Sequence, residues 1–286
     1  MKRAPRIAAI QDLSGFGRCS TTVVLPVLSA MGGQCCPMLT AYLSAHTAFP
    51  PSPHSVFLDL SDQMSETAAH WAELGVTFDA IYSGFLGSAG QIAQIEAFYR
   101  QFRRADTLVL VDPVMGDGGE IYATYTPALC RAMGTLVDGA DALMPNLTEA
   151  SILTGRDYPG QDIDDAQVDE ILGALLAAGA KNVVLKGIDR GDGMIRNYVA
   201  SASTGVAGKQ ELAHAKLPFM THGTGDAFAS ALCGAVMAGR PLAEAANIAG
   251  EFVRHAMEST QYQPNHEERG VSFELNLDEL TALTRR

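Results

Sequence analysis

The chain has 286 residues, 47% of them hydrophobic and 18% charged, enough apolar material to bury the core of one large α/β domain. Lysine and arginine number 20 against 32 acidic residues, for a net charge of −12, and this argues against nucleic acid, because a phosphate-backbone binder needs a basic surface. The five cysteines form no CxxC pair and have no histidine at ligand spacing, which argues against a disulfide scaffold and a structural zinc site.

Met1 to Arg6 is basic, but a strand-like run ending in Gln11-Asp12 follows it where a secretory segment would have its apolar stretch. No apolar run reaches membrane-spanning length, so the expectation is a cytoplasmic protein without a membrane partner. Short apolar runs then alternate with amphipathic segments. The pattern predicts strands at Arg6–Ile10, Cys35–Leu39, Ala80–Tyr82, Leu108–Val111, Ala142–Met144 and Asn182–Leu185. Helices are predicted between them at Cys19–Ala30, Met64–Leu74, Ala89–Arg103, Thr126–Leu136 and Asp164–Ala178. This repetition implies an α/β fold with a mostly parallel central sheet and helices on both faces. After Lys186 the pattern changes: Met194–Ala200 and Gln210–Ala215 read as antiparallel strands, and Thr224–Ala238 and Leu242–Met257 as helices split by Gly239-Arg240-Pro241. With no internal repeat and no long linker, residues 1–286 are expected to form a single domain.

Ligands of open parallel sheets gather beyond the carboxyl ends of the strands. Here those ends carry Asp12, Thr40, Ser83-Gly84, Asp112-Pro113, Pro145-Asn146 and Lys186-Gly187. The strongest local signal is Gly223-Thr224-Gly225-Asp226 before a run of small residues. Two glycines let backbone N–H groups converge at a helix N-terminus, a setting for an anion, and Asp226 sits where a carboxylate could take the proton of an attacking hydroxyl. The plainer reading is a helix cap. No GxxxxGK[ST] exists, and Gly15-Phe16-Gly17 ends in Ser20 rather than glycine, so neither a P-loop nor a dinucleotide fingerprint is present.

Asn146-Leu147-Thr148-Glu149 follows a strand directly, and Glu149 suits a Mg²⁺ ion held directly or through water. The same spacing is that of a capping box. Asp112 leaves its strand where phosphates or a metal would sit, Asp117 lies in the glycine-rich loop that follows, and Lys186 is a candidate partner for phosphates. In the first half of the chain, the loops Gln11–Gly17, Thr40–Thr47 with His46, and Ser83–Ser88 are placed to form an acceptor pocket.

Taken together, Gln11–Gly17, TAYLSAHT, SGFLGS, DPVMGDGG, MPNLTEA, VVLKG and HGTGDAFAS resemble, in this order, the pyridoxal/pyridoxamine kinases of the ribokinase superfamily, from about residue 6 to residue 258. The resemblance implies a ribokinase-like fold and ATP-dependent phosphorylation of the 5′-hydroxymethyl group of pyridoxal, pyridoxamine or pyridoxine, with Mg²⁺, in a homodimer. Carried over by position, Asp226 matches the catalytic base, and Gly223, Thr224 and Gly225 the anion hole. Asp112, Asn146, Glu149, Lys186 and Thr224 fall near the ATP phosphates, with Asp112 and Glu149 also near the metal. Asp12, Ser14, Thr47, Phe85 and Asp226 fall on the vitamin side. Many relatives place serine where this chain has Asp12, and a carboxylate there would favour a cationic vitamer such as pyridoxamine.

Hydroxymethylpyrimidine kinases of thiamine synthesis share DPVM- and PN-x-x-E-like motifs but commonly show GTGC where this chain has GTGD. Sugar or nucleoside kinases would ask for more polyol-binding carboxylates near the N-terminus. A non-catalytic pyridoxal phosphate carrier on the same fold would have no use for a base at position 226. For adenine, position alone points to His214–Leu217.

Overall fold

Alternation along the first strand decides the layout. In β1 (Arg6–Ser14), Ala8 and Ile10 enter one buried cluster, and Ile7 and Ala9 enter another. Successive side chains of a strand point to opposite faces, so a strand that is apolar at every position from Ile7 to Ile10 must be covered on both. The computed structural model describes residues 3–284 and supplies both covers.

The other strands are β2 (Gln34–Leu43), β3 (Phe57–Asp59), β4 (Ala80–Ser83), β5 (Leu108–Val111), β6 (Gly116–Asp117), β7 (Glu120–Ile121), β8 (Ala142–Leu143), β9 (Asn182–Asp189), β10 (Met194–Ser201) and β11 (Gly205–Ala215). Eight of them join β1 in one nine-stranded sheet in the order β11-β10-β9-β8-β5-β4-β1-β2-β3, and β6 and β7 make a separate hairpin. The run from β2 to β9 is parallel. At the margins, β3 is antiparallel to β2, and β10 is antiparallel to both β9 and β11.

The helices, in chain order, are α1 (Thr21–Ala30), α2 (Ser61–Glu73), α3 (Ala89–Phe102), α4 (Pro127–Met133), α5 (Leu147–Thr154), α6 (Asp165–Ala177), α7 (Thr224–Met237), α8 (Leu242–Thr260), α9 (His266–Arg269) and α10 (Leu277–Thr284). Met64, Ile95, Leu129, Ala150 and Leu172 from α2 to α6 pack on the face that holds Ile10. Val24, Ala231, Ala249 and Leu280 from α1, α7, α8 and α10 cover the face that holds Ile7. Helix starts follow local chemistry. Thr126 caps α4 ahead of Pro127, and Asn146/Glu149 and Asp164/Gln167 form reciprocal capping boxes on α5 and α6.

Three local expectations change. Gln11–Ser14 and Thr40–Leu43 are strand rather than loop, because β1 and β2 pair along this length with a register shift between Gln11 and Leu13. The short strands β3, β6 and β7, each two or three residues, carry no periodicity to read. Among the described residues, no helix is long and apolar enough to cross a membrane.

Candidate active site

The carboxyl ends of β1, β5 and β9 and the N-terminus of α7 carry the groups that interact electrostatically with one another. α7 starts without a side-chain cap: Gly223 holds the N-cap position at φ 78°, and the N–H groups of Thr224, Gly225 and Asp226 have no partner among the described residues. Glycine is required at 223, since a Cβ there would collide with the Arg18 carbonyl. Uncapped N–H groups with the positive end of the helix dipole make an anion site. A Cβ added to Gly225 would lie 3.7 Å from Lys186 Nζ, so the ammonium stands beside the same turn.

Asp226 sits in the first turn of α7, partly exposed. Its Oδ2 accepts the Ser20 N–H at 2.9 Å and the Cys19 thiol at 3.4 Å, while Oδ1 has no protein partner among the described residues. Burial pushes its carboxyl up to about 6, against the pull of the Ser20 N–H and with help from Asp112 and Asp12. A carboxylate of that strength is charged at neutral pH and still basic enough to accept a proton.

Lys186 ends the predicted part of β9 and donates to Asp112 Oδ1 at 2.5 Å, with both residues buried. Glu149 lies near them, equally buried. Desolvation opposes charge on Lys186, but Asp112 and Glu149 outweigh it and hold the ammonium protonated. One cation cannot neutralise two carboxylates, so burial pushes Glu149 up to about 8, Lys186 opposing and Asp112 adding to the rise. Asn146 Oδ1 accepts the Glu149 N–H at 2.9 Å, and Glu149 Oε2 accepts the Asn146 N–H at 2.7 Å. The capping reading of this motif is thus realised, with Asn146 Nδ2 also donating to the Gly116 carbonyl at 2.8 Å.

On the other side, Asp12 is 4% exposed and accepts the Ser14 hydroxyl at 3.0 Å. Burial raises its carboxyl, and among the described residues no cation pairs with it. Two vitamin-side candidates stand apart from this group. Thr47 is exposed on the loop after β2, next to His46, whose Nε2 lies 2.7 Å from the Glu268 carbonyl. Phe85 is packed into the core edge-on to Tyr125, with ring centroids 5.8 Å apart, because the apolar turn after β4 buries its ring rather than offering it to a ligand. His214 likewise turns inward, 3.2 Å from Glu251 and against Gly250, while Leu217 lines an open groove of about 630 Å³ with His255, Ser259, Tyr262 and Asn276. Reading the sequence missed Cys19 and Ser20. The cysteine carried no metal or disulfide spacing, and the contribution of Ser20 is a backbone N–H, which no side-chain pattern announces.

The family model for phosphomethylpyrimidine kinase matches residues 25–272. The pyridoxine/pyridoxal/pyridoxamine kinase of Bordetella bronchiseptica is 29% identical over 269 residues, 89% of each chain. A solved structure from Bacteroides thetaiotaomicron, provisionally named a phosphomethylpyrimidine kinase and crystallised with pyridoxal, is 36% identical with a TM-score of 0.90 over 97% of this chain and 96% of that one. The pyridoxal kinase of Lactobacillus plantarum is 31% identical with a TM-score of 0.87 over 98% of this chain and 97% of that one.

Proposed function

The chain belongs to the phosphomethylpyrimidine kinase family, and from this premise we propose that it transfers the γ-phosphoryl group of ATP to the 5′-hydroxymethyl group of a vitamin B6 compound. The observation that carries this reading is the half-satisfied Asp226 carboxylate at the uncapped start of α7, one oxygen held and the other free. In this scheme Oδ1 takes the alcohol proton as its oxygen attacks the γ-phosphorus. The N–H groups of residues 224–226 and the Lys186 ammonium receive the negative charge spread over the transferring group. The bond to the β-phosphate oxygen breaks, leaving ADP, and the groove beside Leu217 takes the base of the nucleotide.

Mg²⁺ fits the acids beside Lys186 in a limited way. Among the described residues no group of three metal-ligating side chains exists, so there is no dedicated protein cage. Two buried carboxylates, Asp112 and Glu149, suit an ion that keeps most of its waters and arrives with phosphates. Bound there, it would supply charge neutralisation on the phosphates.

A coupled ADP-release assay with Mg-ATP and pyridoxal, pyridoxine, pyridoxamine or hydroxymethylpyrimidine tests the reading. Turnover of B6 compounds is expected, and turnover of hydroxymethylpyrimidine alone would transfer the chain to thiamine synthesis. Within the same panel, Asp12→Ser is expected to lower the pyridoxamine-to-pyridoxal ratio of kcat/KM about tenfold, the worth of one charge-assisted hydrogen bond. An unchanged ratio would remove Asp12 from vitamer choice.

The partner of the edge strand is a second copy of the chain in this proposal. Phe57 and Leu58 of β3 and Val56 just before it are about half exposed, and an exposed apolar edge is an aggregation hazard unless another strand or chain covers it. Light scattering is expected to give a dimer mass that falls to monomer in Phe57→Lys. A monomeric parent would refute the assignment.

A further inference from the structure

Ser20 and Asn265 are the two non-glycine residues with positive φ among the described residues, and only Ser20 touches the candidate base. Its φ of 49° and ψ of −127° are strained for a residue with a Cβ, and such strain persists only where the surroundings enforce it. The enforcement is visible. Thr22 Oγ1 donates to the Cys19 carbonyl at 2.8 Å and accepts the Cys19 N–H at 3.2 Å, and the Arg18 N–H donates to the Arg269 carbonyl at 2.9 Å. Ser20 also bridges to Leu13 on β1. Held in this way, the turn delivers two donors to a single atom, Asp226 Oδ2: the Ser20 N–H and the Cys19 thiol.

We propose that Cys19 is a positioning residue of the phosphoryl transfer: together with the Ser20 N–H it occupies one oxygen of Asp226 and leaves the other, Oδ1, as the atom that takes the alcohol proton. The inference rests on the reading of Asp226 as the base. A thiol can play this part because burial, then Asp226 and Asp12, hold it well above its ordinary range, so it is a neutral S–H donor at neutral pH. A donor on Oδ2 favours the charged carboxylate. The titratable groups facing that carboxylate are Asp12 from β1, Asp112 from the end of β5, Tyr82 from β4, Tyr122 beyond β7, and Lys186 from β9. Loss of the thiol acts on top of all of these, since none of them donates to Oδ2.

The test is the pH profile of kcat, with pyridoxal and saturating Mg-ATP, for the full-length protein and its Cys19→Ala and Cys19→Ser variants, with circular dichroism to establish folding. Alanine is expected to move the acid limb up by about half a pH unit or more, roughly a threefold loss of rate well below the limb. Serine keeps an O–H donor, and its limb is expected at or below that of the parent. Should the alanine variant fail to fold, the serine variant decides, because a limb above the parent's contradicts a hydroxyl donating to Oδ2. An unmoved limb in the folded alanine variant overturns the proposal. So does a change confined to the KM for pyridoxal, which would make Cys19 a wall of the acceptor pocket. The failure of the underlying reading is a different result: Asp226→Asn would keep near-normal turnover whatever the Cys19 variants do.

Discussion

Asp226→Asn is expected to lower kcat by at least about 100-fold, the contribution typical of general-base catalysis, with ATP affinity nearly unchanged. The asparagine keeps the size of the side chain and can still accept the Ser20 N–H, but it cannot carry a proton away from the alcohol. The uncapped first turn of α7 and Lys186 are untouched, and in the proposed scheme nucleotide binding draws on them. Single-turnover measurements with a nucleotide titration separate the two quantities. Near-normal turnover would refute the role of the carboxylate, and loss of ATP binding in step with turnover would mean that the side chain acts on the nucleotide instead.

The same substitution has a consequence for stability with the opposite sign. A carboxyl raised from 3.8 to about 6 binds its proton more tightly in the fold than in the unfolded chain. Folding is therefore favoured below the unfolded value, and that advantage is lost as pH rises through the folded one. At pH 8 the charged carboxylate weakens the fold by on the order of 1–2 kcal/mol once solvent screening of a partly exposed group is allowed for. Asp226→Asn should accordingly unfold at a higher temperature than the parent at pH 8, and at the same temperature near pH 4. A base kept ready for an absent substrate costs stability, the usual relation between an active site and its scaffold.

Most of the scaffold was legible because its strands lie between two covered faces. Runs such as Leu108–Val111 and Val183–Leu185 are apolar without interruption, and the helices between them bury a stripe at 3.6-residue spacing. Legibility failed where burial and polarity coincide: Gln11, Asp12 and Ser14 are buried polar residues inside β1, and a polar string reads as loop. The site divides along a similar line. Asp112, Glu149, Lys186 and Gly223 to Asp226 come together, because the end of β5, the start of α5, the middle of β9 and the start of α7 meet on the carboxyl side of the parallel strands. Phe85 was legible as an aromatic in a glycine-rich loop, but the direction of its ring depends on Tyr125, forty residues on, and such a pairing leaves no local trace. Asn146–Glu149 shows that two readings of one motif need not compete, since the box that caps α5 also fixes a buried acid beside Lys186.

Lys186→Met is expected to produce the largest loss of stability of any single substitution in this site. Among the described residues the ammonium is the one cation set against Asp112 and Glu149, and all three are buried. Methionine fills nearly the same volume, so packing is conserved and the change isolates the charge. Removing one partner of a buried ion pair costs about 3–5 kcal/mol, because the charge left behind stays desolvated. For a chain of this size that corresponds to a fall in Tm of roughly 10 °C at pH 8. The remedy open to the variant is protonation, which Glu149 is already inclined to accept at about 8. The deficit should therefore shrink as pH falls, and adding Asp112→Asn to Lys186→Met should recover most of it at pH 8, by removing the charge that lost its counterpart. A methionine variant as stable as the parent at pH 8 would mean that both acids are already neutral without the ammonium. In that case the site could not present to a nucleotide and its metal the charges on which the phosphoryl-transfer scheme depends.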